Sequence, residues 1–550
     1  ISAGTGAVTV RGESVGSVDD YAMGISLRGD AGTSSITGGA VSLAGAANNA
    51  SNASGVSMIN SSVTAATTLT VSGTSTQATS SALKMDAQST LTSGGATQLS
   101  GNAAMVLGNV DSTGALNIST TGGSVSQVTG TTVLTDSTTS VTVQNADVTL
   151  NNTGNDMVGL ISVSNAANLI LRSTTLTMNS VTTSGAQVYN SPVVLPADTT
   201  LDATQVTFNQ AVTGSGSLTV NGLGVFNGAT IHTTGAQSYN GAVTLSKDTT
   251  LTTDGIAGVN FANTLNGGYS LTVNSAGATV FGGEVGTTTA LTSVTTDQPG
   301  SVQINGGKVT TTGAQTYHEM VSLGATTTLQ GVNVAFMSTI DGAQALTIHD
   351  SGTTVLGDII GGGTPLLSLA VDSLPNTTAG ETHIKGASIH TTNDAVFKNV
   401  VKIFTDVRVK AAGNMTFANT VDGDTADTHS LTLDGGSSAT IRVDGALGAS
   451  KRLTTLEVVN SDSSTFNGAV NTSTSVVLSD TADSIAFNGG LTTPRLSVAA
   501  KPFDLTLRGQ VRVTDAAVST TLANTGTVQL GALAADDLHF AGGLTATAPS

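Results

Sequence analysis

A chain of 550 residues with 38% hydrophobic but only 3% aromatic side chains is too long for one compact core and too poor in large rings to fill one. Only 10% of its residues are charged, against roughly 25% in an ordinary globular domain, and the net charge of −18 argues against nucleic acid as a partner. The lack of cysteine excludes disulfides and thiolate metal sites, and without a run of 18 apolar residues no membrane insertion is predicted.

Residues 1–180 predict a β-solenoid whose coils are filled by small side chains. Short phrases recur there, and their last residues, Leu27, Met58, Met85 and Leu107, are 31, 27 and 22 positions apart. All 12 Phe and all 7 His of the chain lie after this region. We therefore expect a change of solenoid style near residue 180, and not a linker, because no Pro-rich or charge-rich spacer intervenes.

The same region holds the tripeptide Arg28-Gly29-Asp30, which is the integrin-binding sequence and follows a predicted strand. Gly and Asp are common turn residues, so a chance turn is the favoured interpretation. We retain Arg28, Gly29 and Asp30 as the candidate adhesion tripeptide.

Residues 181–550 predict a second β-solenoid segment, built from modules that contain the patterns GAQxY and xFxxxL. Near copies of one phrase stand at 183–190, 233–240 and 311–318, with a degenerate fourth copy at 391–398. Their equivalent positions are 50, 78 and 80 residues apart. Spacings that vary by whole sub-units are typical of stacked coils. Coils of roughly 25 residues would make 50 residues two coils and 70 to 81 residues three.

Strands and corners alternate throughout this part of the chain. Runs such as Leu271-Thr-Val273 and Leu431-Thr-Leu433 have the period of two that marks a half-buried strand. Asn-Gly pairs such as Asn221-Gly222 separate the runs, and both residues tolerate the positive φ of a sharp corner. The sequence therefore predicts an all-β parallel β-solenoid of about 21 coils, in which successive coils carry each Phe or Tyr landmark in turn.

Two stretches carry a resemblance to a known family. Residues 55–74, GVSMINSSVTAATTLTVSGT, and the module at 233–251 resemble repeats of filamentous-haemagglutinin-like adhesins, which are large bacterial surface proteins. This resemblance implies a right-handed parallel β-helix at the cell surface. It extends over most of the chain at the level of its repeats.

No constellation for catalysis or metal binding emerges from the sequence. Gly12-Glu13-Ser14-Val15-Gly16 matches the hydrolase pattern GxSxG, but no helix follows to form the required elbow. Asp422, Asp424 and Asp427 have oxygen-ligand spacing, yet they lack the bidentate acid and the glycine of a calcium loop, so a solvated corner is favoured. We predict no enzymatic activity and no cofactor.

These observations lead to two hypotheses about function. The first is an extracellular, cell-surface bacterial adhesin or stalk segment that contacts glycans or surface receptors. The second is a self-assembling structural fibre or surface-layer protein, since solenoid ends offer backbone groups for stacking. The opening Ile1-Ser2-Ala3-Gly4 predicts no signal peptide, and we expect an interior piece of a longer polypeptide.

Overall fold

The computed structural model describes residues 1–14, 22–30, 32–48, 52–77, 79–374 and 380–547. These residues form parallel β-strands and turns without any helix, and they build a β-solenoid of about 22 coils. The all-β fold class and the coil number are therefore confirmed. The chain divides into two compact units, Ile1–Asn263 (unit 1) and Thr264–Ser550 (unit 2). The change of style expected near residue 180 stays a prediction.

Unit 1 stacks its strands in parallel columns that each run through successive coils. Column A contains Val8–Ser14, Val41–Ala47, Leu69–Ser75, Thr97–Gly101, Leu116–Thr120, Thr139–Leu150, Leu160–Leu171, Leu176–Met178, Val193–Leu195, Val212–Gly214, Thr230–Thr233 and Thr249–Thr253. Column B contains Met23–Arg28, Ser54–Ile59, Ser81–Met85, Ala104–Leu107, Val125–Gln127, Ala186–Tyr189 and Val243–Leu245, together with the second halves of Thr139–Leu150, Leu160–Leu171, Thr199–Phe208 and Leu218–Phe226. Column C contains Ser34–Gly38, Ser61–Ala65, Thr90–Ser93, Asn109–Ser112, Val133–Thr135 and Asp156–Met157. In the later coils the third column, which we call column C′, contains Val181–Thr182, Thr199–Phe208, Leu218–Phe226, Gln237–Tyr239 and Val259–Phe261.

Unit 2 has the same organisation in columns D, E and F. Column D contains Ser270–Asn274, Ser293–Thr296, Gln315–Tyr317, Val334–Phe336, Thr353–Leu356, Glu381–Ile384, Val400–Ile403, Val421–Gly423, Val470–Phe487, Leu491–Thr493, Gln510–Val513 and Asp537–Phe540. Column E contains Ala278–Phe281, Ser301–Ile304, Met320–Leu323, Ile340–Asp341, Ser388–Thr391, Val407–Ala411, Leu431–Asp434, Leu453–Phe466, Arg495–Val498, Thr520–Leu522 and Leu544–Ala546. Column F contains Leu265–Asn266, Lys308–Thr310, Thr327–Gly331, Ala345–Asp350, Ser368–Asp372, Ala395–Phe397, Met415–Phe417, Thr440–Val443, Asp504–Leu507 and Val528–Leu530. Leu453–Phe466 continues into column F, and Val470–Phe487 continues into columns E and F.

The period of two in the sequence becomes an inside and an outside of each coil. In column A, Leu43 pairs with Val71, and Val71 pairs in register with Leu99. All three side chains point inward and are at most 1% exposed. Strands of adjacent coils lie about 4.8 Å apart, so each inward side chain packs on its equivalents above and below. A thin aliphatic core therefore runs through each unit.

The large rings form stacks inside this core. Tyr189 stacks on Phe208 with ring centroids 5.7 Å apart, and Tyr317 stacks on Phe336 at 5.2 Å. In the degenerate copy of the motif, Phe397 stacks on Phe417 at 5.0 Å. Each pair joins the last ring of the GAQxY motif to the Phe landmark of the next coil. The prediction that successive coils carry the landmarks in turn is confirmed.

The coil length inferred from the motif spacing was wrong for the shortest coils. Gln187 pairs with Val206, and Val206 pairs with Gly224, so two coils here occupy only 37 residues. The next motif glutamine, Gln237, lies in column C′, whereas Gln187 lies in column B. Fifty residues therefore equal more than two coils, and the motif moves to another column. Sequence spacing could not show this, because coil lengths vary from 17 residues (Leu176 to Val193) to 35 (Ser2 to Thr37).

Asparagines form several of the corners. Asn145 and Asn165 adopt left-handed φ angles of 49° and 59° within two long strands, where the chain turns from column A to column B. At another corner, Asn209 Nδ2 donates to Asn190 Oδ1 at 2.5 Å, and Asn227 Nδ2 donates to Asn209 Oδ1 at 2.5 Å. This ladder of amides satisfies polar groups from one coil to the next and fixes the stacking register.

Candidate functional site

The repeated GAQxY motif places its polar side chains inside the solenoid. In the copy at 233–240, Gln237 Nε2 donates to the carbonyl oxygens of Ile231 at 3.2 Å and Thr252 at 2.8 Å. It also donates to Thr233 Oγ1 at 3.2 Å, and Gln237 Oε1 accepts from the Tyr239 hydroxyl at 2.9 Å. The same contacts recur around Gln187 and Gln315. The most conspicuous motif of the sequence therefore has a structural role: its glutamine and tyrosine form a hydrogen-bonded group inside the core, which we call the glutamine plug.

The degenerate fourth copy supports this interpretation. Burial raises the pKa of the Tyr239 hydroxyl far above its usual range, so this group remains a hydrogen-bond donor to Gln237. In the copy at 391–398, Ala395 stands in the place of the glutamine and Phe397 in the place of the tyrosine. The acceptor and its donor are thus lost together. Losing only one of them would leave a buried polar group without a partner, which costs more than losing both.

The candidate tripeptide Arg28-Gly29-Asp30 lies at the outer end of the strand Met23–Arg28. Arg28 Nε donates to Asp30 Oδ1 at 2.5 Å, and both side chains are well exposed. Gly29 is held between coils, because its N–H donates to the Ile59 carbonyl and its carbonyl accepts from Asn60 Nδ2, each at 3.0 Å. The structure thus brings the arginine and the aspartate together as an ion pair on the surface. Their role as an adhesion site stays a prediction.

The three aspartates near residue 424 do not converge. Asp422 Oδ1 accepts from the backbone N–H groups of Ser450 and Lys451 at 3.0 and 3.2 Å. Asp424 contacts His429 Nε2 at 2.8 Å, whereas Asp427 forms a two-pronged ion pair with Arg452. Over the described ranges, no three His, Asp or Glu side chains come together in a way that would hold a metal ion. Each aspartate instead has its own neighbour at the corner.

The GxSxG pattern can be placed only in part. Gly12, Glu13 and Ser14 lie in the strand Val8–Ser14, which pairs with Val41–Ala47. Val15 and Gly16 lie outside the described residues. A residue within a paired strand lacks the strained turn that a nucleophile elbow needs. Separately, no helix in the described part of the chain has the length and apolar character needed to cross a bilayer.

The outer face of column A carries a long row of uncharged polar side chains. Seven successive coils each contribute one outward residue in register, and we call these residues the neutral row: Thr9, Ser42, Thr70, Gln98, Asn117, Ser140 and Ser162. Strand pairing spaces them about 4.8 Å apart. Every member has a hydroxyl or an amide that both donates and accepts hydrogen bonds. The row is a regular, uncharged surface of hydrogen-bonding groups.

Unit 2 presents a different outer surface at column D. His383, Lys402 and Asp422 occupy one outward register position in three successive coils. Two residues further along, Phe404 and Asp424 point to the same side, because a strand alternates its faces. A groove of about 630 Å³ opens here, lined by His383, Val400, Lys402, Phe404, Thr420, Asp422, Gly423, Asp424, Ser450 and Lys451. We call it the Phe404 groove.

The contacts around this groove are polar and specific. Glu381 accepts two hydrogen bonds from Lys402 Nζ at 2.8 and 3.0 Å, and it also contacts His383 Nε2 at 2.9 Å. The Lys402 ammonium, helped by His383, holds the pKa of the Glu381 carboxyl below its usual range. The Phe404 ring lies 4.9 Å from the His383 ring, and Lys385 Nζ lies 5.3 Å from its centroid. The site combines an aromatic ring with ionised groups of both signs.

Reasoning from the sequence missed this groove, although two signals were present. Eight of the 18 Lys and Arg residues fall between Lys385 and Arg452. In the segment Val401-Lys-Ile-Phe404, the alternation places Val401 and Ile403 inside, and so it places Phe404 outside. The scatter of charges along the sequence concealed the fact that coil stacking brings residues 381–385, 402–404 and 422–424 side by side.

Comparison with known sequences yields one finding. A family described as repeats of unknown function (DUF5649) matches residues 93–164, which lie in unit 1. Neither the curated proteins nor the solved structures contain a match. This chain is therefore similar over that segment to a repeat family to which no activity is assigned, and the repetitive β-helical character of the protein agrees with it.

Proposed function

We propose that this chain is a non-catalytic segment of an extracellular bacterial surface adhesin or stalk. It contacts glycans or other surface receptors through repeated, uncharged outer faces. The resemblance of residues 55–74 and 233–251 to repeats of filamentous-haemagglutinin-like adhesins supports the class of protein and its place at the cell surface. The rigid stacked coils support the role of a stalk.

The neutral row is the observation that carries this proposal. Its hydroxyls and amides, repeated over seven coils, suit many weak contacts made in series. Contacts in series raise avidity without a deep pocket. The conspicuous GAQxY motif, by contrast, uses its polar side chains for hydrogen bonds within the core. The inferred function is therefore binding, with no chemical step.

Salt tests this proposal directly. Beads coated with the chain should adhere to cells or matrix as well at ~1 M NaCl as at physiological ionic strength, because the screening length falls to ~3 Å and uncharged contacts do not depend on it. The double variant Gln98→Glu/Asn117→Asp places two like charges on adjacent coils of the neutral row. It should weaken adhesion at low salt and recover part of it at ~1 M NaCl.

The control is Gln88→Glu, which adds a single negative charge at an exposed turn outside the row. It should adhere like the unmodified chain. If adhesion of the unmodified chain disappears between low and moderate salt, sparse charges carry the binding and the proposal fails.

A self-assembling fibre or surface-layer protein is the second candidate. The neutral row favours it as well, because residues that both donate and accept hydrogen bonds are complementary to a second copy of themselves. Bead experiments separate the two candidates. Clumping of coated beads in the absence of any other surface favours the fibre, and adhesion of dispersed beads to cells or matrix favours the adhesin.

A further inference from the structure

Phe404 differs from the other phenylalanines of the protein. Ten of the 12 Phe side chains are buried in the core at 1% exposure or less: Phe208, Phe226, Phe261, Phe281, Phe336, Phe397, Phe417, Phe466, Phe487 and Phe503. Phe540 is half-buried in a strand of column D. Phe404 follows the strand Val400–Ile403 and points outward, so it does not contribute to the packing of the core. A half-buried ring among charged side chains has the character of a ligand contact.

We propose that the Phe404 groove binds a neutral sugar residue of a glycan. This inference rests on the proposed adhesive function and names the chemical class of one partner. A sugar ring has an apolar face of C–H groups and a rim of hydroxyls that both donate and accept. In the groove, the Phe404 ring can pack against the apolar face of the sugar, and the carboxylates and ammonium groups can form hydrogen bonds with its hydroxyls. Its volume of about 630 Å³ lies in the range of small-molecule sites.

The position of the ring leaves one side open. His383 and Lys385, which contact the ring, both belong to the preceding coil. On the other side, the groove continues past Gly423 and ends at Ser450 and Lys451. The Ser450 and Lys451 wall is fixed, because their backbone N–H groups donate to Asp422 Oδ1. A ligand can thus lie against the ring between two fixed walls.

The charges in the groove favour an uncharged ligand. Asp422 and Asp424 line the groove with two negative charges, and Lys402 and Lys451 line it with two positive ones. Beside the groove, Glu381 and Lys385 add one charge of each sign. Glu381 is already paired with Lys402, and Asp424 contacts His429 at 2.8 Å. Ionised groups form stronger hydrogen bonds than neutral ones, so they also suit hydroxyl ligands. With no net charge, the groove gives an anionic saccharide or an acidic peptide no electrostatic advantage.

The test is calorimetric titration of the full chain with lactose, cellobiose, maltotriose and mannotriose, and with sialyllactose and oligogalacturonate as acidic counterparts. We expect saturable binding of at least one neutral sugar, changed by less than about twofold in ~1 M NaCl. Phe404→Ala should weaken it by about tenfold or more, whereas Phe404→Tyr should retain it. Tyr269→Ala, which removes an exposed ring elsewhere in unit 2, should have no effect.

Three outcomes overturn the assignment: no saturable binding of any neutral sugar, binding that Phe404→Ala leaves unchanged, or binding of acidic sugars alone that salt abolishes. Because Phe404 lies outside the core, circular dichroism should show an intact β fold for every variant. Bead adhesion at ~1 M NaCl is measured in parallel. If the beads adhere but no sugar binds, only the groove assignment fails. If the beads do not adhere, the proposed function fails by itself.

Discussion

Unit 1 and unit 2 share one architecture, but they treat charge differently. Unit 1 carries 5 basic and 13 acidic side chains, and unit 2 carries 13 and 23. On the outside, unit 1 has the neutral row, whereas unit 2 has the ionised array around Phe404. Every buried acidic residue among the described residues also belongs to unit 2: Glu319, Asp350, Asp422 and Asp434. The coils can thus contain charged side chains, and the hydrogen-bond donors around each charge decide whether it stabilises the fold.

Two of these carboxylates show the contrast most clearly. Asp350 is fully buried and accepts hydrogen bonds from the N–H groups of Asn333, Val334 and Gly352 and from the Thr354 hydroxyl, at 2.7 to 3.0 Å. Glu319 is 2% exposed, and neither of its carboxylate oxygens has a partner in good hydrogen-bond geometry among the described residues, although the Thr296 hydroxyl lies nearby. A buried carboxylate therefore stabilises the stacking of adjacent coils at Asp350, whereas at Glu319 it destabilises the folded state.

The largest expected effect comes from removing the satisfied carboxylate. Asp350→Ala should lower the free energy of unfolding of unit 2 by about 4 kcal/mol, because three backbone N–H groups and one hydroxyl lose their acceptor. Chemical denaturation, with hydrogen exchange to assign the loss to unit 2, measures this. The control Asp254→Ala removes an exposed carboxylate paired with His232 in unit 1 and should change little. An equal effect of the two variants would contradict our interpretation of Asp350.

The glutamine plug is common to both units and should respond alike in each. Gln237→Ala in unit 1 and Gln315→Ala in unit 2 should each cost about 3 kcal/mol, since a buried tyrosine hydroxyl and several carbonyl groups lose their partner. Adding Tyr317→Phe to Gln315→Ala reproduces the pair found at Ala395 and Phe397, and it should recover part of the loss. A double-mutant cycle from denaturation curves measures the coupling. Strict additivity would show that the two side chains act independently.

The smallest expected effect concerns Glu319 and depends on pH. Burial raises the pKa of the Glu319 carboxyl, and the Thr296 hydroxyl opposes this shift only in part, while Asp297 adds to it and His318 opposes it. The folded state therefore favours the protonated acid. As the pH rises above the ordinary value of 4.5 and through the raised pKa, the unmodified protein should lose stability, whereas Glu319→Gln should not.

At neutral pH, Glu319→Gln should therefore be more stable than the unmodified chain by about 1 kcal/mol, and the difference should vanish near pH 4. Thermal unfolding of the variant and of the unmodified chain between pH 4 and 8 measures this difference. Ser191 is the control, because it directly follows the copy at 183–190, as Glu319 follows the copy at 311–318, and it carries no charge. Ser191→Ala should show no such pH dependence. A difference between Glu319→Gln and the unmodified chain that stays constant over this pH range would refute the assignment.

Much of the fold could be predicted, because its signals are local. The alternation in Leu271-Thr-Val273 and the Asn221-Gly222 corner are set by side-chain size and by tolerance of positive φ. The first appears in the structure as the strand Ser270–Asn274, and the second appears within the long strand Leu218–Phe226, where Gly222 has a φ of 136°. The coil boundaries could not be predicted. Insertions at corners change the coil length without changing the alternation, so Gln187 and Gln237 occupy different columns although their motifs are nearly identical.

The candidate sites show the same limit. The Arg28-Gly29-Asp30 tripeptide and the Asp422, Asp424 and Asp427 cluster are contiguous in the sequence and were therefore found, yet the three aspartates take separate partners. The Phe404 groove draws on four coils whose contributing residues are 19 to 28 positions apart, and no local sequence pattern shows which of these residues meet. What the sequence determined by itself is the solenoid, since each coil needs only short-range alternation and turns. Only the tertiary structure decided which residues meet across coils, because the register of stacking depends on the length of every corner between them.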